Sequence, residues 1–87
     1  MNHEKIFPWK EFIERYLINH EEFVFLYKEK EYHFAFADSK KGQMIAELNI
    51  GNKENGYKCY AYKSPIELLN SVKIDGRTIQ EVWNEFE

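Results

Sequence analysis

The 87-residue sequence holds one cysteine, two prolines and four glycines, and each scarcity closes off a class of protein. A lone Cys59 cannot form a disulfide within its own chain, so this is no disulfide-stapled scaffold, and a reducing cytoplasm is the expected compartment. Glycine and proline are too scattered to form a linker, so residues 1–87 are expected to make a single domain with one small core. No apolar run approaches the length of a membrane span, and Met1-Asn2-His3-Glu4-Lys5 leads into no apolar signal segment, so no membrane partner is expected. Lysine and arginine total 12 against 15 aspartates and glutamates, a net charge of −3, which excludes a broadly basic nucleic-acid coat but not a local patch. Familiar catalytic signatures are missing too: there is no Gly-rich phosphate loop, no Cys or His pair at zinc spacing and no Gly-x-Ser-x-Gly elbow. His3, His20 and His33 are scattered, whereas a metal site needs three or more converging ligands. Neither a metal nor a cofactor is expected.

What the chain has in abundance is aromatic rings, 17% of its residues, and they are ordered. Phe23, Phe25 and Tyr27, then Tyr32, Phe34 and Phe36, occupy alternate positions on either side of Lys28-Glu29-Lys30-Glu31. A period of two marks strands with one buried face, and the charged tetrapeptide marks the reversal of a hairpin. A loop of two or four residues is expected to set Tyr27 opposite Tyr32, Phe25 opposite Phe34 and Phe23 opposite Phe36, with all six rings on one side. A three-residue loop would put the two sets on opposite faces.

The remaining elements follow from periodicity and punctuation. After Pro8, the residues Trp9, Phe12, Ile13, Tyr16 and Leu17 make the stripe of a helix ending near Asn19-His20, with Lys10, Glu11, Glu14 and Arg15 on its wet side. A second turn, Asp38 to Gly42, leads into a strand from Gln43 to Ile50, with Phe36 beside Met44, Phe34 beside Ala46 and Tyr32 beside Leu48. A third turn, Gly51 to Gly56, leads to a last strand in which Tyr57 meets Ile50, Cys59 meets Leu48 and Ala61 meets Ala46. That register buries Cys59 as a small hydrophobe. Ser64-Pro65-Ile66-Glu67 and Thr78-Ile79-Gln80-Glu81 are capping boxes that start two C-terminal helices, separated by a turn at Ile74-Asp75-Gly76-Arg77 with Gly76 at positive φ. The expected fold class is α+β: a four-stranded antiparallel meander with one N-terminal and two C-terminal helices, in the order α-β-β-β-β-α-α. Phe25, Phe34, Leu48 and Trp83 are its expected core.

The ending, Tyr62-x-Ser64-Pro65-x-Glu67-Leu68-Leu69, then Lys73-Ile74-Asp75-Gly76, then a last helix bearing Trp83, resembles that of small bacterial and phage-type proteins of unassigned activity. The resemblance spans roughly the final quarter of the chain, rests on capping and packing residues, and implies a shared way of closing the fold. It carries no functional residues with it.

Candidate chemistry lies on the sheet face opposite the six aromatics. In the expected register that face carries the cross-strand rows Leu26-His33-Glu47-Tyr60 and Val24-Ala35-Ile45-Tyr62, with Lys58 nearby. His33 beside Glu47 has the makings of an acid–base pair, because a carboxylate can hold an imidazole's tautomer and orientation; its plainer reading is a half-exposed cross-strand polar pair. Val24, Leu26, Ala35, Ala37, Ile45, Tyr60 and Tyr62 together are unusually apolar for a solvated surface. They mark either a contact surface or a face covered by a helix or by Ile6, Phe7 and Trp9. Lys58, Tyr60, Tyr62 and Lys63 alternate in the manner of single-strand-binding sheets, where rings stack bases and lysines meet phosphates, although tyrosine is ordinary in strands.

Three functions are therefore in play. The leading one is a small non-enzymatic interaction or regulatory protein that binds a protein partner, or a second copy of itself, through Val24, Leu26, His33, Ile45, Glu47, Lys58, Tyr60 and Tyr62 or through a free sheet edge. The alternative is a single-stranded nucleic-acid-binding module using Lys58, Tyr60, Tyr62 and Lys63. The third is an enzyme using His33 and Glu47.

Overall fold

The computed structural model describes residues 6–87; the opening Met1 to Lys5 stretch, with His3, lies outside the described residues. Pro8 stands just ahead of helix α1 (Trp9–Ile13), and its carbonyl accepts from the Glu11 and Phe12 N–H groups at 3.0 and 3.1 Å. The helix continues as a π-helical turn over Glu14–Ile18, closed by Asn19 N–H on the Glu14 carbonyl, and His20 ends it at φ 53°. Phe12 and Tyr16 are its buried residues, with Phe7, Trp9, Ile13 and Leu17 packed against the same core. Arg15 is on the opposite side yet not idle. Its guanidinium lies about 5 Å from the ring centres of Phe7 and Phe23 while it pairs with Glu11 and Glu21.

Four strands follow, β1 (Phe23–Tyr27), β2 (Lys30–Asp38), β3 (Met44–Asn52) and β4 (Gly56–Tyr62), paired antiparallel in sequential order. Helix α2 (Pro65–Ser71) comes next, then a short ribbon of β5 (Lys73–Ile74) and β6 (Arg77–Thr78), where the sequence pattern predicts a turn alone. Asp75 and Gly76 make the ribbon's turn, both at positive φ. Helix α3 (Ile79–Val82) runs into a 3₁₀ turn (Trp83–Glu85). The expected α+β meander with three flanking helices is thus the fold observed.

Both helix starts are capped. Ser64 Oγ accepts from Glu67 N–H at 3.2 Å; at Thr78 the box closes in both directions, with Glu81 N–H on Thr78 Oγ1 and Thr78 N–H on Glu81 Oε1.

All three helices lie on the aromatic side of the sheet. Trp83 is the hub: its ring centre lies 4.4–5.8 Å from those of Phe7, Trp9, Phe12, Phe25 and Phe86, and its indole N–H donates to the Phe7 carbonyl at 2.8 Å. Phe25, Phe34, Leu48 and Trp83 are all buried, as expected. The last residue closes one sheet edge, since Glu87 and Leu26 exchange a pair of backbone hydrogen bonds at 2.9 Å.

The register departs from expectation at each turn, and the parity of each departure decides its consequence. The first turn has two residues, Lys28 and Glu29, both left-handed with φ 49° and 65°, so Phe23 faces Phe34 and Phe25 faces Tyr32. At the second, Ser39 Oγ accepts from the Lys41 and Gln43 N–H groups, Phe36 faces Ala46 and Phe34 faces Leu48. Both shifts are by two, so the six aromatics keep their common face. The third is by one. Asn52 Oδ1 accepts from Asn55 N–H at 2.8 Å, Gly56 turns at φ 80°, and Asn52 faces Gly56 across a three-residue loop, so Leu48 meets Tyr60 and Asn49 meets Cys59. A one-residue slip sends every side chain of β4 to the other face.

Candidate functional site

The face opposite the helices is open: no described helix packs on it. On β1 it presents Val24 and Leu26, 57% and 52% exposed. Reading across the strands, Val24, His33, Asn49 and Cys59 form one row, and Leu26, Glu31, Gly51 and Tyr57 the next. Ala35, Glu47 and Ala61 form a third, with Ala37 and Ile45 beyond.

Five of the sequence-predicted residues, Val24, Leu26, His33, Ile45 and Glu47, do share this face. Three do not. Lys58, Tyr60 and Tyr62 turn to the helix side, where Tyr60 and Tyr62 are half-buried against the core and Lys58 sits 5.3 Å from the Tyr60 ring centre. Cys59, expected to be buried, takes their place on the open face and is exposed; desolvation, then the charge of Glu47, pushes its thiol up. The reason in every case is the three-residue turn at Lys53 to Asn55.

The expected pairing of His33 with Glu47 is replaced as well. His33 faces Asn49, and Glu47 faces Ala35. The carboxylate that holds His33 is Glu31, two residues back on the same strand and face, with Glu31 Oε1 2.7 Å from His33 Nε2. Tyr57 donates its hydroxyl to the same oxygen at 3.0 Å, and its ring meets the His33 ring edge-on at 5.3 Å. These bonds, His33 first and Tyr57 second, hold the Glu31 carboxyl below the ordinary carboxylate value, and the hydrogen bond to Glu31, then desolvation, pushes the Tyr57 phenol up. In a neutral His33 ring an ionised Glu31 selects the tautomer in which Nε2 carries the proton, and Nδ1 is then an acceptor.

Beside this cluster lies a shallow depression of about 400 Å³, walled by His33, Asn49 and Tyr57 over Ala35. A smaller hollow of about 160 Å³ on the other side of His33 is bounded by Glu22, Val24 and Ala35 among others. At its end Glu22 accepts the Phe36 N–H at 3.0 Å, satisfying a donor where β1 has run out. Glu31, Asn49 and Tyr57 were not singled out from the sequence. The spacing of Asn52, Asn55 and Gly56, which permits an Asn-closed tight turn, was the available signal for them.

The helix layer has its own apolar groove, about 230 Å³ between α1 and α2, lined by Trp9, Ile13, Leu17, Ile66 and Leu69 with polar Asn70, Thr78 and Gln80. It holds no titratable group. Among the described residues no cluster of three or more His, Cys, Asp or Glu could hold a metal ion, and no helix is long and apolar enough to cross a membrane. Comparison with protein-family models, with curated proteins and with solved structures gives no match.

Proposed function

We propose that this chain is a small binding module that engages a protein partner through the open face of its sheet. The observation that carries the reading is Val24 and Leu26, two large apolar side chains more than half exposed on a sheet face that no described helix covers. Flanked by Ala35, Ala37, Ile45 and Ala61, they form the apolar ground on which protein contacts are built, with Glu31, His33, Glu47 and Asn49 providing polar directionality. The rival readings have less to stand on. A stacking platform for single-stranded nucleic acid would need the Tyr60 and Tyr62 rings free, and both pack against the core. Acid–base catalysis by His33 and Glu47 would need the two side by side, and they are not cross-strand partners.

The test is capture from a host lysate, paired with thermal melting, for the wild type and the Val24→Asp and Leu26→Asp variants. Each substitution is expected to abolish a wild-type capture while changing stability by no more than about 0.5 kcal/mol, the usual range for exposed positions. Capture that survives both substitutions would overturn the reading.

A further inference from the structure

Resting on that reading, we infer that the depression over Ala35 is a subsite for an arginine side chain presented by a basic segment of the partner. Three independent features converge there. The first is shape: Ala35 leaves a low floor between His33, Asn49 and Tyr57, an open, shallow depression of about 400 Å³. The second is unspent hydrogen-bonding capacity. Glu31 accepts a hydrogen bond from His33 Nε2–H in the neutral ring, which leaves Nδ1 as an acceptor, and directly across the strand pair the Asn49 side chain has no hydrogen-bond partner among the described residues. Two acceptors on neighbouring strands, His33 Nδ1 and Asn49 Oδ1, stand about 5 Å apart at their Cα atoms and suit the divergent N–H groups of a guanidinium.

The third feature is charge. Within the four strands the open face carries the carboxylates of Glu31 and Glu47 and not one lysine or arginine, because Lys30 and Lys58 both turn to the helix side. Glu47, the cross-strand partner of the floor residue Ala35, makes no ion pair among the described residues. Lys53, in the β3–β4 loop, acts on Glu31 from beyond the rim. A cation entering here has two acceptors and the aromatic ring of Tyr57 on the walls, with the Glu47 carboxylate on the strand position across from the floor. Arginine is favoured over lysine because its planar guanidinium can stack on that ring while bonding in its own plane. An anionic ligand would face the two carboxylates of this face, Glu31 and Glu47.

The probe is a capped pentapeptide, Gly-Leu-Arg-Leu-Gly, titrated into the isotope-labelled full chain and followed by NMR, alongside the same peptide with citrulline or lysine in place of arginine. Saturable shifts of the Asn49 side-chain amide and the His33 ring are expected with the arginine peptide, weakened at least tenfold with citrulline and clearly with lysine. Tyr57→Ala and Glu47→Gln should each weaken arginine binding about tenfold. Both side chains lie on the open face, and an unchanged melting curve would separate lost binding from lost folding. No saturable shift, or equal binding of arginine and citrulline, would overturn the subsite. Should that happen while Val24→Asp still abolishes partner capture, the contact face would stand without the arginine.

Discussion

At the scale of single residues, the chain carries two local costs that substitution can expose. The Tyr16 hydroxyl is fully buried with no hydrogen-bond partner among the described residues, and burial alone pushes its titration far above the ordinary phenol value. An unsatisfied buried hydroxyl costs more than it returns, so Tyr16→Phe, which keeps the ring stacked on Phe12, is expected to raise stability by about 1 kcal/mol. A denaturation midpoint that falls in Tyr16→Phe would show that the hydroxyl is bonded after all. Glu31 behaves in the opposite sense. Its folded-state pKa is depressed by His33 and Tyr57, so the unfolded chain binds the proton more tightly, and the contribution of Glu31 is present above the ordinary carboxylate value and lost as pH falls through the depressed one. Thermal melting between about pH 5 and pH 3 should therefore show a smaller acid-induced loss in Glu31→Gln than in the wild type. Identical slopes in the two proteins would mean that the Glu31 bonds to His33 and Tyr57 do not form in solution.

At the scale of elements, the caps and turns separate what was legible in the sequence from what was not. The box at Thr78 is closed from both sides, and Glu81 is held below its usual value chiefly by the Thr78 N–H. Thr78→Ala should cost about 1 kcal/mol, and Ser64→Ala no more than that, because only the serine's own bond is lost there. Equal melting of Thr78→Ala and wild type would contradict the cap. These starts could be read because a cap is a short-range pattern: hydroxyl, three steps, glutamate. The aromatic face could be read because alternation survives any even shift in register, which is why Phe23 to Phe36 kept their side although both turns differed from expectation. Strand β4 could not be read the same way. Its tyrosines fall at 57, 60 and 62, on both parities, so hydrophobic pattern could not choose between faces, and the choice fell to the backbone of the Lys53 to Asn55 loop. Gly51 records that choice: a Cβ there would run into the Gly56 carbonyl. Gly51→Ala is expected to destabilise the chain by about 2 kcal/mol or more, since backbone must move to relieve the clash. Wild-type stability in that variant would argue for the longer, six-residue loop.

At the scale of the whole molecule, the protein is a two-layer structure with all its helices on one side, and that asymmetry separates stability from contact. Every buried ring, from Phe12 to Phe86, lies between sheet and helices, so truncating Phe34 to Ala should cost about 3–5 kcal/mol, a large share of what so small a domain possesses. The open face has no comparable stake in the fold. The two helix-side tyrosines of β4, Tyr60 and Tyr62, therefore distinguish a platform from a prop, because a residue cannot both support the core and serve as a free contact surface. Tyr62 faces Ala46 on the helix side and is half-buried, so Tyr62→Ala removes intramolecular packing and should lower the unfolding free energy by about 2 kcal/mol while leaving partner capture intact at temperatures where the variant is folded. Val24→Asp should do the reverse. Paired measurement of melting and capture on these two variants thus tests the register of β4 and the identity of the contact face together. A Tyr62→Ala protein that melts like the wild type but no longer captures its partner would return β4 to the other register and move the binding surface with it.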